Sequence, residues 1–461
     1  MKTTIKMLFR ISVFLIAILS PFHLIAQKVV ELSLEESLRY ALENNVDAKN
    51  AQLEVLISKG IIGENRAAGL PQITGSFEMT KNLQPPLLIL PAEAGSVIGG
   101  GNGDPDQGSG PSDITVIPFA VNYQSSLAFN LEQMIFNGSY FVGLKAAKTL
   151  KSLTEFDRLK TEIEVKEAVK KAYYTVLINE ERKLLVEANL ERVKALLKET
   201  EELYNVGFVE KLDVSRVKVQ TNNLISEQEK IKAALDISKE ILKIQMGMPL
   251  SVDIQISSRL SDLEALGDMN SLLAENGSKR VEIDQITTNL DLVRLDLKNN
   301  QVQYIPNISA FGTFQRVTGA QALNTIFDSQ RWFSSSFVGL RMSIPIFDGL
   351  RKSYRIQQNR VQLRQLENQR FFVEENVELE KFQSRTNLVN SIRTLEVQKE
   401  NRELAMEVFN MTKIKYSEGV GSNLEVVEAD SALKEAETNY FSALYDALIA
   451  KVDLEKALGI L

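Results

Sequence analysis

Along this chain the spacing of apolar positions switches between two periods, and it does so in the same order twice. Behind a Ser33/Glu36 capping box, Leu34, Leu38, Ala41 and Leu42 recur at helical spacing, which predicts one helix over residues 33–69, stopped by Pro71. The period then drops to two. Ile73, Phe77 and Met79 alternate with Thr74, Ser76, Glu78 and Thr80, a strand with one oily face. Residues 83–113, with PPLLILP and GGGNGDPDQGSGPSD, fit neither period and predict a long loop without helix or sheet of its own. From Val121 the alternation returns, with Tyr123, Leu127, Phe129 and Leu131 against Asn122, Gln124, Ser126, Asn130 and Glu132. About ten such residues match a tilted outer-membrane strand, and the run ends at IFNG, residues 135–138. Residues 139–204 then read as one helix of roughly 100 Å, far beyond globular length and typical of a coiled coil. A helix of about half that length, from Asp213 to Met246, returns beside it.

After an irregular segment at 250–274 the order repeats. A helix from about Glu275 to Tyr304 ends at YIPNIS, the counterpart of GLPQIT around Pro71. A strand follows with Ile308, Ala310, Gly312 and Phe314, then a loop over 316–331. A second strand places Val338, Leu340, Met342 and Ile344 opposite Gly339, Arg341 and Ser343, and ends at IFDG, residues 346–349. A long helix leads to Tyr416, and a half-length helix with the stripe Phe441, Leu444, Leu448 and Val452 closes the chain.

The repetition is literal at the helical turns. YNVGFVEKLDV from Tyr204 and YSEGVGSNLEV from Tyr416 share Tyr, Gly, Leu, an acid and Val at an offset of 212 residues. The same offset, without a gap, carries Ile237 to Ile449, Lys239 to Lys451, Leu242 to Leu454 and Gly247 to Gly459. This predicts an internal duplication, with repeats at 27–249 and 275–461. Gly207 and Gly419 supply the left-handed residue that ends each long helix, and Ser422 with Glu425 forms a capping box for the last one.

Composition changes this picture mainly by exclusion. An apolar share of 44%, with 7% aromatic and 25% charged residues, belongs to a folded protein. Lys2, Lys6 and Arg10 precede an apolar run of about ten residues and a stretch ending at Ala26, the layout of a cleaved secretory leader over 1–26. Without it the net charge of −7 becomes about −10, which disfavours nucleic acid as a partner. The single histidine, His23, lies in that leader, and there is no cysteine. Zinc ligation and thiol or imidazole catalysis are therefore excluded, no cofactor or metal is expected, and an enzyme is the least supported class.

Four strands in one chain leave two open edges, which lipid does not tolerate, so the strands are expected to close with those of other copies. The duplicated Y-x-x-G-x-x-x-x-L-[DE]-V tip, the IFNG and IFDG corners and the Pro71 and Pro306 corners together resemble the TolC family of outer-membrane efflux proteins. The resemblance covers nearly the whole chain after the leader. It implies a mixed α and transmembrane β fold: a long antiparallel helical coiled-coil tunnel and four strands per chain within a twelve-stranded trimeric barrel. It further implies an exit duct for small molecules or peptides in the outer membrane of a Gram-negative bacterium. Expected partners are two more copies of the chain, a periplasmic adaptor protein, an inner-membrane transporter and outer-membrane lipid. The alternative reading is a periplasmic coiled-coil scaffold that conducts nothing.

The family's gate acids fall on Glu425 and Glu428, three apart on one helical face, and Glu425 is also the capping partner of Ser422. Where the best-known member of the family carries an arginine that ties the closed gate, this chain has Gly421, and the first tip offers Asp213 and Arg216 as the partners of the latch. Gly207, Phe208, Val209, Gly419, Val420 and Gly421 are the expected adaptor-binding tip. Phe136, Trp332 and Phe347 suit membrane interfaces.

Overall fold

The structure is a computed structural model that describes residues 30–84, 87–91, 114–118, 121–258 and 266–461. The expected leader, 1–26, lies outside these residues, as does most of the 83–113 loop. In chain order the elements are β1 (Val30–Leu32), α1 (Leu34–Asn44), α2 (Val46–Ala67), β2 (Gln72–Lys81), β3 (Leu87–Pro91), β4 (Ile114–Pro118) and β5 (Tyr123–Phe136). There follow α3 (Gly138–Asn205), α4 (Lys211–Met246), β6 (Ile254–Ile256), α5 (Leu266–Leu273), α6 (Val281–Val302), β7 (Asn307–Ala320), β8 (Phe333–Ser343), α7 (Arg351–Ser417) and α8 (Asn423–Ala457).

These elements gather into two compact units, each drawn from both halves of the chain. One takes the chain up to Val55 with Thr154–Gln285 and Arg370–Leu461; the other takes Leu56–Leu153 and Ile286–Gln369.

The second unit holds a four-stranded antiparallel sheet in the order β2-β5-β7-β8. Directly paired residues share a face, so the register shows whether the alternation seen in each strand adds up. It does. Ile73 pairs with Leu131, Leu131 with Gly312 and Gly312 with Val338; Phe129 pairs with Phe314. That row is oily, and the polar row beside it joins Thr74, Asn130 and Thr313. Every residue of β2 is exposed, and so is nearly all of β8, the two edge strands. Among the described residues no helix is long and apolar enough to cross a membrane.

Several expected boundaries move. The strand β7 runs on to Ala320, although Arg316 interrupts its oily row, because its pairing with β5 continues to Tyr123; the Arg316 guanidinium lies 6.0 Å from the centroid of the Trp332 ring. Two short 3₁₀ turns then occupy Leu323–Thr325 and Ser329–Arg331 within the expected loop. Part of the other expected loop is ordered as well, since β3 pairs antiparallel with β4. Its apolar LLILP stretch has a partner past the Gly-rich segment, which local composition does not reveal.

In the first unit the expected single helix over 33–69 is two. Asn45, with ψ of 138°, breaks the run, and its Oδ1 accepts the backbone N–H groups of Asp47 and Ala48 at 2.8 and 3.2 Å. The segment expected to be irregular, 250–274, carries β6, parallel to β1, and the helix α5. The next helix starts at Val281 rather than Glu275, because Arg280 is buried before it, hydrogen-bonding Glu282, Glu380 and the carbonyl of Ala457. The main core of this unit is one apolar cluster to which α3, α4, α7 and α8 all contribute, among them Tyr173, Leu177, Leu242, Leu388, Leu444 and Leu448.

Candidate functional site at the hairpin tips

Both tips are closed by the same backbone device. Gly207 and Gly419 have φ of 83° and 76°, and each gives the following turn its Schellman geometry: Phe208 N–H donates to Leu203 O at 2.9 Å, and Val420 N–H to Lys415 O at 3.0 Å. A glycine is needed because an L side chain at such φ meets its own backbone. Gly247 and Gly459, which end α4 and lie just past α8, are left-handed too, with φ of 72° and 70°. Of the expected tip residues, Phe208 and Val420 stand 80% and 77% exposed, large apolar groups held in water beside Gly207 and Gly419. Val209 and Gly421 are half-buried. At Gly421 a Cβ would stand 3.1 Å from the backbone nitrogen of Tyr416, so the turn is tight as well as bare.

The four expected gate residues do not meet across the tips. Arg216 Nη1 lies 3.5 Å from Asp213 Oδ1 on its own helix, and the Asp213 Oδ2 accepts the backbone N–H of Glu210 at 3.3 Å, capping α4. Glu425 accepts the Ser422 N–H at 3.4 Å while its own N–H donates to Ser422 Oγ at 3.3 Å, the capping box read from sequence. Glu425 and Glu428 are exposed, and among the described residues neither forms an ion pair. Both side chains thus lie at the surface, with the Glu425 carboxylate engaged at the N-cap of α8.

Sequence reasoning missed the polar groups just behind the tips. Asn423, Asp430 and Glu437 are buried on α8 at intervals of seven, a single coiled-coil position. Arg192 of α3 reaches Asp430 Oδ1 through Nη2 at 2.8 Å and through Nε at 3.2 Å, and Gln220 of α4 donates to the other oxygen. Asn189 Nδ2 donates to Glu437 Oε2 at 2.8 Å, and Asn423 Nδ2 to Thr200 Oγ1 at 3.5 Å. Burial pushes the Glu437 carboxyl above its ordinary range. Seven-residue spacing of polar positions within the stripe Val426, Leu433 and Tyr440 was the available signal.

Comparison with known proteins decides the kind of molecule. The model of the family described as "Outer membrane efflux protein" matches residues 278–460. Outer membrane protein TolC of Salmonella enteritidis is 21% identical over 347 residues, covering 73% of this chain and 70% of that protein. The TolC protein of Escherichia coli (strain K12) is 23% identical over 303 residues, covering 63% and 60%. The outer membrane protein VceC of Vibrio cholerae superposes with a TM-score of 0.67 at 16% identity, over 92% of this chain and 96% of that one. The chain is similar to the TolC-like outer membrane efflux proteins, in sequence over residues 278–460 and in fold over most of its length. The relatives are named as outer membrane proteins, and the matched family as one of efflux proteins.

Proposed function

We propose that this chain is the exit duct of a tripartite efflux or type I secretion system, working as a homotrimer. The observation that carries the reading is the sheet: four antiparallel strands with one coherent oily row and two unpaired, exposed edges, β2 and β8. In lipid such edges need partners, and strands from two further copies supply them, giving twelve strands. The oily row of Ile73, Phe129, Phe314 and Val338 faces lipid, and the polar row, with Arg341, lines the lumen. The 212-residue offset that carries Gly207 to Gly419 and Gly247 to Gly459, all four left-handed, supports descent of the two halves from one duplicated unit.

The tips form the periplasmic end. Phe208 and Val420, framed by Gly207, Val209, Gly419 and Gly421, offer an adaptor protein an apolar contact, and that adaptor couples the duct to an inner-membrane transporter. Glu425 and Glu428, repeated in three chains, form two carboxylate rings that favour cations at the constriction, with Asp213 and Arg216 bracing the neighbouring turn.

Membrane fractionation and planar-bilayer recording test the reading together. The protein is expected in the detergent-soluble outer-membrane fraction, and purified protein is expected to open cation-preferring pores. Glu425→Gln with Glu428→Gln should weaken the cation preference. Recovery from the periplasm without detergent, and no pores, would point instead to the coiled-coil scaffold.

A further inference from the structure

The four strands of the sheet carry five charged side chains, and these are sorted between its two faces. Glu78, Glu132 and Arg341 lie in register with the polar row of Thr74, Asn130 and Thr313. Lys81 and Arg316 lie with the oily row of Ile73, Phe129 and Phe314, so every charge on that face is positive. Both stand toward the same end. The oily row starts where β5 and β7 meet α3 and α6, and its apolar residues run out past Phe129 and Phe314. Beyond them the same face carries Arg316 opposite Leu127 and Ser334, then Thr318 opposite Ser125, and last Lys81 opposite Tyr123.

Each of these cations lies against an aromatic ring instead of an acid. Lys81 Nζ is 5.7 Å from the centroid of the Tyr123 ring, and the Arg316 guanidinium is 6.0 Å from that of Trp332. The indole is fixed, since its Nε1 donates to Ile326 O at 3.1 Å. The only acid between β7 and β8, Asp328, is taken by Arg331 at 3.5 Å. Among the described residues Arg316 Nε and Thr318 Oγ1, both buried, have no hydrogen-bond partner.

A cation on a lipid-facing strand is costly at the bilayer midplane and nearly free at the interface, so the edge of the oily band is where Lys81 and Arg316 are tolerated. Tyr and Trp hold that level with rings that are half wet. The fold supplies rings there but no counter-charge, which leaves the counter-charge to the bilayer. Phosphate suits it best, because a guanidinium presents paired N–H donors that match two phosphate oxygens. Arg316 and Lys81 are four residues apart along the strands and two strands apart across them, about 17 Å between backbones at 3.4 Å per residue and 4.8 Å per strand. Two long side chains shorten that span to the width of a large headgroup.

We propose that the Arg316–Trp332 and Lys81–Tyr123 pairs form a docking site, at the outer rim of the barrel, for a glycolipid whose headgroup carries two phosphoryl groups and whose acyl chains lie along the oily row. The proposal rests on the duct reading, which turns this face to lipid and the helix-free end of the strands away from the periplasm.

The test titrates full-length protein in neutral detergent with lipid A bearing both phosphates and follows thermal unfolding. A saturable rise of the midpoint, about 2 °C or more, is expected. Lipid A with its phosphates removed, and inorganic phosphate alone, should each give much less. Arg316→Gln with Lys81→Gln should weaken the response about tenfold or more, and Arg316→Lys should fall between, because the charge stays and the fork is lost. Arg294→Gln, at an exposed cation of α6, should leave the response unchanged. If the double variant does not fold, Arg316→Lys and Lys81→Gln carry the test singly. An equal rise with the dephosphorylated lipid means binding through chains alone, and an equal rise with inorganic phosphate means an anion site that needs no lipid. An unchanged response in the variants means that other cations hold the lipid. Each of these overturns the docking site and leaves the duct standing. Recovery of the protein from the periplasm without detergent would overturn the duct reading and the docking site with it.

Discussion

Asn45 donates through Nδ2 to the backbone carbonyl oxygen of Gln245 at 2.8 Å, tying the break between α1 and α2 to the last turn of α4, 200 residues away in sequence. Its Oδ1 meanwhile caps α2 through Asp47 and Ala48. One side chain thus stops a helix, starts the next and fixes both to a third. Asn45→Ala removes a cap and a part-buried hydrogen bond, at about 1 kcal/mol each, so about 2 kcal/mol of stability should be lost. Asn45→Asp keeps the cap and loses the donor, so it should cost about half as much. Denaturant unfolding in detergent checks the order; equal losses would show that the cap on α2 contributes nothing, and an unchanged Asn45→Asp that the bond to Gln245 contributes nothing.

The left-handed glycines separate backbone strain from crowding. Around Gly419 a Cβ would meet nothing within 4 Å, so Gly419→Ala should cost only the left-handed penalty, about 1 kcal/mol. At Gly277, with φ of 73°, a Cβ would stand 2.7 Å from the carbonyl oxygen of Leu458, and the backbone there has to move. Gly277→Ala should therefore be clearly the more destabilising of the two, and similar unfolding midpoints would refute the contact.

What the sequence made legible follows from which interactions are local. The long helices were readable because α3 from 138 to 205 and α7 from 351 to 417 have no internal proline and end at glycine turns, both properties of a few neighbouring residues. The oily and polar rows of β2 and β5 were readable because period two is a local pattern. The break at Asn45 was not, since an asparagine within a helical pattern is ordinary until Gln245 is brought beside it. The extension of β7 past Arg316 rests on its pairing with β5, and the strand β3 on a partner beyond the Gly-rich segment. At the candidate site the capping role of Glu425 was local and legible. The burial of Asp430 was not, because a lone aspartate on a long helix reads as a solvated one until Arg192, 238 residues earlier, meets it.

Glu167 predicts one sense of pH dependence. Burial pushes its carboxyl up, but hydrogen bonds from Lys171 and Lys456, at 2.7 and 2.8 Å, outweigh burial and hold it below the ordinary value of 4.5. A carboxyl depressed in the folded state contributes stability that is present above 4.5 and lost as pH falls through the folded value. Glu167→Gln should thus cost about 1 kcal/mol or less at neutral pH, allowing for solvent screening, and nothing in strong acid. Unfolding measured against pH for the two proteins should converge on the acid side; a constant offset would remove the network from the argument.

Glu437 predicts the opposite sense from the other end of the same two helices. Burial raises its carboxyl, only partly countered by the hydrogen bond from Asn189 and the charge of Arg192 on α3, opposed by Asp430 on its own helix and helped by Arg402 on α7. The folded chain therefore holds the proton more tightly than the unfolded chain does. Its contribution is fully present below 4.5 and fades as pH rises through the folded value. The protonated acid also has a use for its hydrogen, because Asn189 Oδ1 is buried without a partner. Glu437→Gln supplies that donor permanently. The variant should match or exceed the wild type in stability at neutral pH, and the gain the wild type makes on mild acidification should shrink in it. If both proteins follow the same pH curve, the carboxyl of Glu437 does not change its protonation between the folded and unfolded states, and its burial beside Asn189 carries no pH dependence.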